Sequence, residues 1–129
     1  MFVTIIEPRF SETDCLGHIN NTAFPVWFET ARQDIFKLVH PNLSSSDWPM
    51  IIAHIHVDFI LQTEYGDEVT IKSSISKIGK KSFDVTHEAY QNKLLVAKGN
   101  AVLVWYNYAQ QSSSLIPEEI RELLKQHQL

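Results

Sequence analysis

Apolar residues change their spacing twice along this chain. From Thr22 to Val39 they recur at three- and four-residue steps, at Phe24, Phe28, Ala31, Ile35 and Leu38. That spacing predicts one helix over the whole segment. Val26, Trp27 and Phe36 widen its apolar face, so the helix is expected to be largely buried. Pro25 falls in the first turn, where main-chain N–H groups lack partners in any case. Before the helix, residues 2–8 are rich in Val, Thr and Ile and predict a short strand. Residues 11–20 are polar, contain one glycine and predict a loop, with Asn20 or Asn21 as the helix cap.

After the turn-rich segment 40–48 the spacing changes to alternation. Ile51, Ala53, Ile55, Val57, Phe59 and Leu61 are predicted on one face of a strand, with His54, His56 and Asp58 on the other. Glu64-Tyr65-Gly66-Asp67 predicts a turn. Val69 to Ile78 is a second alternating run, and Gly79 predicts a bend or bulge after it. Ser82 to Tyr90 sets Phe83, Val85, His87 and Ala89 on one face. Leu94 to Trp105 is apolar on both faces, the mark of a strand covered on both sides. Residues 107–114 are predicted as a loop. Pro117 then opens a last helix with Glu118 and Glu119 in its first turn. The order implies an α+β protein, an antiparallel sheet of about five strands wrapped around one long helix, with a short C-terminal helix. The two-sided apolarity of Leu94–Trp105 predicts a homo-oligomer.

A chain of 129 residues, 44% of them hydrophobic, predicts one domain spanning residues 1–129. With 11 Lys+Arg against 15 Asp+Glu the charge is mildly acidic, which argues against nucleic acid as the partner. No run approaches the roughly 18 apolar residues of a membrane span, and the N-terminus lacks a basic signal-peptide region. One cysteine, Cys15, excludes an internal disulfide. A cytoplasmic protein without a membrane partner is expected.

The chemistry is concentrated just before the helix. Asp14 stands in a polar loop facing the positive end of a helix, where exposed N–H groups can hold a carbonyl oxygen while the carboxylate activates water or attacks directly. The bland alternative is a loop cap, or a pair with Arg9. His18 is a candidate to orient Asp14 or substrate, and Asn20 to hydrogen-bond the substrate; both also suit simple loop geometry. Cys15 lacks a demonstrable base, and Glu29 reads as a structural partner of Arg32 one turn on. His54, His56 and Asp58 have zinc-compatible spacing but read better as a polar strip, and no metal is assigned. Lys80, Lys81 and Ser82 offer charge and hydroxyl donors suited to phosphates.

The ordered set Arg9-Phe10, Thr13-Asp14, Gly17-His18-Ile19-Asn20-Asn21, Phe24 and Phe28-Glu29-x-Ala31-Arg32 resembles the 4-hydroxybenzoyl-CoA thioesterase-like, or YbgC-like, acyl-CoA thioesterases of the hotdog fold. Val57-Asp58-Phe59, Tyr65-Gly66-Asp67-Glu68-Val69, Ile78-Gly79-Lys80-Lys81-Ser82, Ala97-x-Gly99 and Ile116-Pro117 extend the resemblance over roughly residues 2–125. The resemblance implies a hotdog fold in dimers or tetramers. It also implies hydrolysis of an acyl-CoA, or of an acyl carrier protein thioester, without a separate cofactor or metal. It puts the catalytic carboxylate at Asp14 and the carbonyl-polarising N–H at Asn21. The acyl group is expected along the helix near Phe24, Trp27 or Phe28, and the nucleotide near Lys80–Ser82. One departure is Glu12-Thr13-Asp14 where the family usually has Asp-Thr-Asp, which leaves the role of the first acid open. Two other readings are a non-catalytic acyl-binding module and a hotdog hydratase. The hydratase motif needs a His five residues after its Asp and an Asn-Pro, which are missing here.

Overall fold

The computed structural model describes residues 1–15 and 17–129. The chain opens with β1 (Phe2–Ile6) and a single 3-10 turn over Phe10–Glu12, then α1 (Ala23–Ala31) and α2 (Gln33–Val39). Four long strands follow, β2 (Met50–Phe59), β3 (Val69–Ile78), β4 (Ser82–Gln91) and β5 (Leu94–Asn107). A two-residue β6 (Ser112–Ser113) and α3 (Glu118–Gln126) close the chain. The strands form one antiparallel sheet in the order β1-β3-β4-β5-β2, with β6 beside β5. The sheet curls around α1 and α2. This is the hotdog layout.

Three local expectations are corrected. The helix expected over Thr22–Val39 is two segments that meet at Arg32, which keeps helical dihedrals (φ −79°, ψ −9°) while its N–H is shared between the carbonyls of Phe28 and Glu29. The result is a bend, so the apolar spacing runs straight through it. In β2 the register shifts between Ile52 and His54. This bulge moves Ile51 to the face opposite Ile55 and Val57 and puts Met50 and Ile52 on the helix side, because one extra residue reverses a period of two. Residues 107–114 contain β6, which pairs with Tyr106 and Asn107.

The core is a seam between the helix and the middle of the sheet. Phe24, Trp27, Phe28 and Ala31 pack on Val69, Ile71, Ala89, Val96 and Ala97. Ile35 and Val39 continue the seam over Ile75, Phe83, Val85 and Leu103. The contact is closest at Gly99, where an added Cβ would lie 2.6 Å from the Phe28 ring. Only a residue without a side chain lets the helix settle this deep. Beside it, the His87 ring stacks on Phe28 with centroids 4.8 Å apart and planes 4° from parallel.

His87 is fully buried. Its Nδ1 lies 2.7 Å from Ser73 Oγ and its Nε2 3.4 Å from an Arg32 nitrogen. The guanidinium can only donate, so Nε2 accepts and Nδ1 carries the proton. Burial and the neighbouring Arg32 charge push the His87 pKa down to about 3. Below pH ~6.5 the unfolded chain protonates this residue, whereas the folded chain resists doing so until about 3. His87 is therefore expected to leave stability intact above that upper limit and to reduce it, by at most ~1.4 kcal/mol per pH unit, as pH falls through the window. Urea unfolding of wild type and His87→Gln at pH 7 and pH 4.5 checks this. The wild type should lose more stability than the variant; parallel losses would show that another group carries the acid sensitivity.

Candidate active site

The loop between the 3-10 turn and α1 closes on itself. Asp14 N–H donates to the His18 carbonyl (2.7 Å), and Asp14 Oδ1 accepts the His18 N–H (3.1 Å). Gly17, at φ +80°, permits the reversal that this short closure requires. Thr13 bridges to Ile19, and Ile19 N–H donates to the Thr63 carbonyl (2.8 Å). Asn20 N–H donates to the Glu12 carbonyl (2.7 Å). Asp14 is thus held half-buried in the loop that leads into α1.

Asn20 holds the helix entry. Its Oδ1 accepts the Thr22 N–H (3.0 Å) and the Thr22 hydroxyl (3.1 Å), and its carbonyl accepts the Ala23 N–H. The cap expected at Asn20 or Asn21 is Thr22 instead, without a side-chain cap hydrogen bond, and Asn20 fastens the turn that leads into it. Asn21 is exposed, and its N–H donates to no protein acceptor among the described residues. His18 is half-buried with its Nε2 3.6 Å from Glu64 Oε1. Its Nδ1 is buried without a partner among the described residues. Arg9 pairs with Glu12 (3.5 Å).

The residue that sequence reading left open is Glu12. Its Oε1 accepts the Arg9 N–H (2.7 Å) and its Oε2 accepts the Trp27 indole N–H (2.8 Å), although its side chain is only 10% exposed. One carboxylate thereby ties the Asp14 loop to the second turn of α1. Charge-assisted bonds of this kind contribute about 1.5–3 kcal/mol. The signal in the sequence is a long acid before a buried tryptophan, but the pairing spans 15 residues and is invisible to periodicity.

Other candidates separate from this centre. Phe24 is 3% exposed and packs against Trp27, Phe28 and Phe59, so it belongs to the core. Cys15 is exposed. His56 Nε2 contacts Asp58 Oδ1 at 2.8 Å on the outward side of β2, and no three potential ligands converge there among the described residues. Glu29 is exposed and makes no ion pair with Arg32 among the described residues. Lys80 and Lys81 lie in the β3–β4 turn and Ser82 opens β4. That turn lies at the far end of β3 from Val69, roughly 30 Å along the strand from the end that faces the Asp14 loop. One chain alone does not bring them together.

This arrangement matches known proteins. Residues 8–124 match the model of the thioesterase-like superfamily. The chain belongs to that superfamily. A predicted thioesterase from Bacillus stearothermophilus is 44% identical, with a TM-score of 0.96 over 99% of this chain and 96% of that one. A thioesterase from Thermus thermophilus, solved with coenzyme A and Zn, is 30% identical, with a TM-score of 0.86 over 97% and 92% of the two chains. The uncharacterized protein YsmA of Bacillus subtilis is 30% identical over 81 residues, so the matched region spans only 55% of its length and 63% of this chain.

If Glu12 ties loop to helix, Glu12→Ala should lower unfolding free energy by ~1–3 kcal/mol. Glu12→Gln, which keeps one good acceptor, should lose less. Urea denaturation followed by tryptophan fluorescence measures both. A Glu12→Ala protein as stable as wild type would remove the tether from the description.

Proposed function

We propose that the protein hydrolyses acyl-CoA thioesters to the free acid and coenzyme A, with Asp14 as the catalytic carboxylate. The observation that carries this reading is the closed Asp14–His18 loop immediately before α1, tied to that helix by Glu12 and Trp27. The thioester carbonyl oxygen would accept the Asn21 N–H, aided by the helix dipole, as negative charge develops on it. Asp14 would take a proton from water on the other side of the carbonyl, or attack the carbon itself. Asn20 and His18 shape the loop; His18 in turn is steadied by Glu64. Superfamily membership and the coenzyme A bound by the Thermus thermophilus relative support the substrate class.

The site is proposed to be completed by a second copy. β2 is an edge strand paired only with β5, and Ile52, Ile55 and Phe59 on its helix side remain about half exposed. Exposed edges of this length attract another strand. Antiparallel joining of two β2 edges reverses every strand direction in the second copy. Its Lys80–Ser82 turn then falls at the same end of the joined sheet as Asp14 of the first, within range of the phosphates of a long nucleotide. Acyl carrier protein is the other carrier this surface would accept. Among the described residues no helix is long and apolar enough to cross a membrane, and a cytoplasmic location fits this metabolic role.

Thiol release from a panel of acyl-CoAs tests the proposal. Wild type should release coenzyme A from at least one, and Asp14→Asn and Asp14→Ala should lose roughly 100-fold or more in kcat. Near-wild-type turnover in either variant would remove Asp14 from the chemistry. Ligand-induced stabilisation without any thiol release would identify a binding module instead.

A further inference from the structure

Arg32 is 4% exposed, yet no carboxylate lies within ion-pair distance of it among the described residues. Its Nε is buried without a partner. Its guanidinium contacts the neutral His87 (3.4 Å), itself fixed by Ser73 and by stacking on Phe28. A buried cation left unmatched is costly even after the surroundings relax. Burial lowers the Arg32 pKa, and Glu29 at the exposed rim offsets only part of that through space.

Arg32 nonetheless borders open space. Two adjoining grooves, of about 560 and 320 Å³, run between the helices and β2, and Arg32, Glu29 and Ile52 line both. The smaller groove begins at Pro25 and Val26 in the first turn of α1 and ends at Arg32. It is otherwise walled by Ile52, Ala53, His54 and Ile55. It thus begins about one helical turn past Asn21. Arg32 contacts His87, and His87 lies on Phe28, so the guanidinium sits near the level of Phe28. That is seven residues from Asn21, roughly 10 Å along the helix axis. With C–C bonds of ~1.5 Å, an extended chain of about eight carbons covers this distance.

We propose that Arg32 binds a carboxylate at the far end of the acyl group, which makes medium-length ω-carboxyacyl thioesters the substrates of this site. The inference rests on the thioesterase reading. A guanidinium prepared by His87 and Ser73 in an apolar groove supplies what a dicarboxylic half-thioester needs: apolar walls for the methylenes, then a fork of N–H donors for the terminal oxygens. A plain acyl chain of the same length would leave the cation unmatched.

The test compares suberoyl-CoA with octanoyl-CoA in wild type, Arg32→Met and Arg32→Lys. The readout is the ratio of their kcat/KM values, which a general loss of activity leaves in place. Wild type should favour suberoyl-CoA by roughly 10-fold or more. Arg32→Met should abolish or reverse the preference, and Arg32→Lys should retain part of it. Free suberate should also raise the melting temperature of wild type but not of Arg32→Met. Hydrolysis of octanoyl-CoA with no preference for suberoyl-CoA in wild type would overturn the inference and leave the thioesterase reading intact. Hydrolysis of neither substrate would count against that reading; the suberate shift would then decide whether the carboxylate site stands or falls. If Arg32→Met instead turned an oligomer into monomers, with no suberate effect on wild type, the cation would be matched by a second copy and the inference would be wrong.

Discussion

The structure depends on how deeply the helix sinks into the sheet. Phe28 lies where Gly99 has no side chain, and the His87 ring covers its face. This contact sets the depth of α1, and with it the position of the helix mouth relative to the loop before it. Overpacking here by one methyl group is the kind of change that cores resist by about 1–3 kcal/mol. It would also lift the helix away from the strands that hold the loop.

The candidate site inherits this depth through a few polar ties. Glu12 links the loop to Trp27, while Ile19 and the His18–Glu64 bridge link it to the segment that follows β2. Gln91, buried at the end of β4, accepts the Glu64 N–H and donates to the Glu64 and Asp67 carbonyls. Asp14 is therefore placed by the loop, the helix and the sheet together. Such over-determined positioning is what a carboxylate acting on a carbonyl requires, since reacting atoms must be held to within about 0.5 Å.

Much of this was legible in the amino-acid pattern. The three- and four-residue spacing of Phe24, Phe28, Ala31 and Ile35 marks the buried helix, and the alternation of Phe83, Val85, His87 and Ala89 marks β4 with its inward face. The bulge in β2 was not legible, because alternation counts residues and cannot tell where one is skipped. The bend at Arg32 escaped for a similar reason: apolar spacing continues through it. The Asp14 loop was readable from its residue types and order. Its fastening was not, since Glu12–Trp27 and Arg32–His87 are contacts across 15 and 55 residues that only the fold creates. The separation of Lys80–Ser82 from Asp14 within one chain is likewise a matter of strand direction rather than of any motif.

The most direct measurement is a crystal structure of Asp14→Asn soaked with a non-hydrolysable acyl-CoA analogue in which a methylene replaces the thioester sulfur. The analogue's carbonyl oxygen should accept the Asn21 N–H at ~2.7–3.1 Å, with residue 14 facing the carbonyl carbon. A carbonyl bound away from the mouth of α1, with the Asn21 N–H left to solvent, would contradict the assignment of the site.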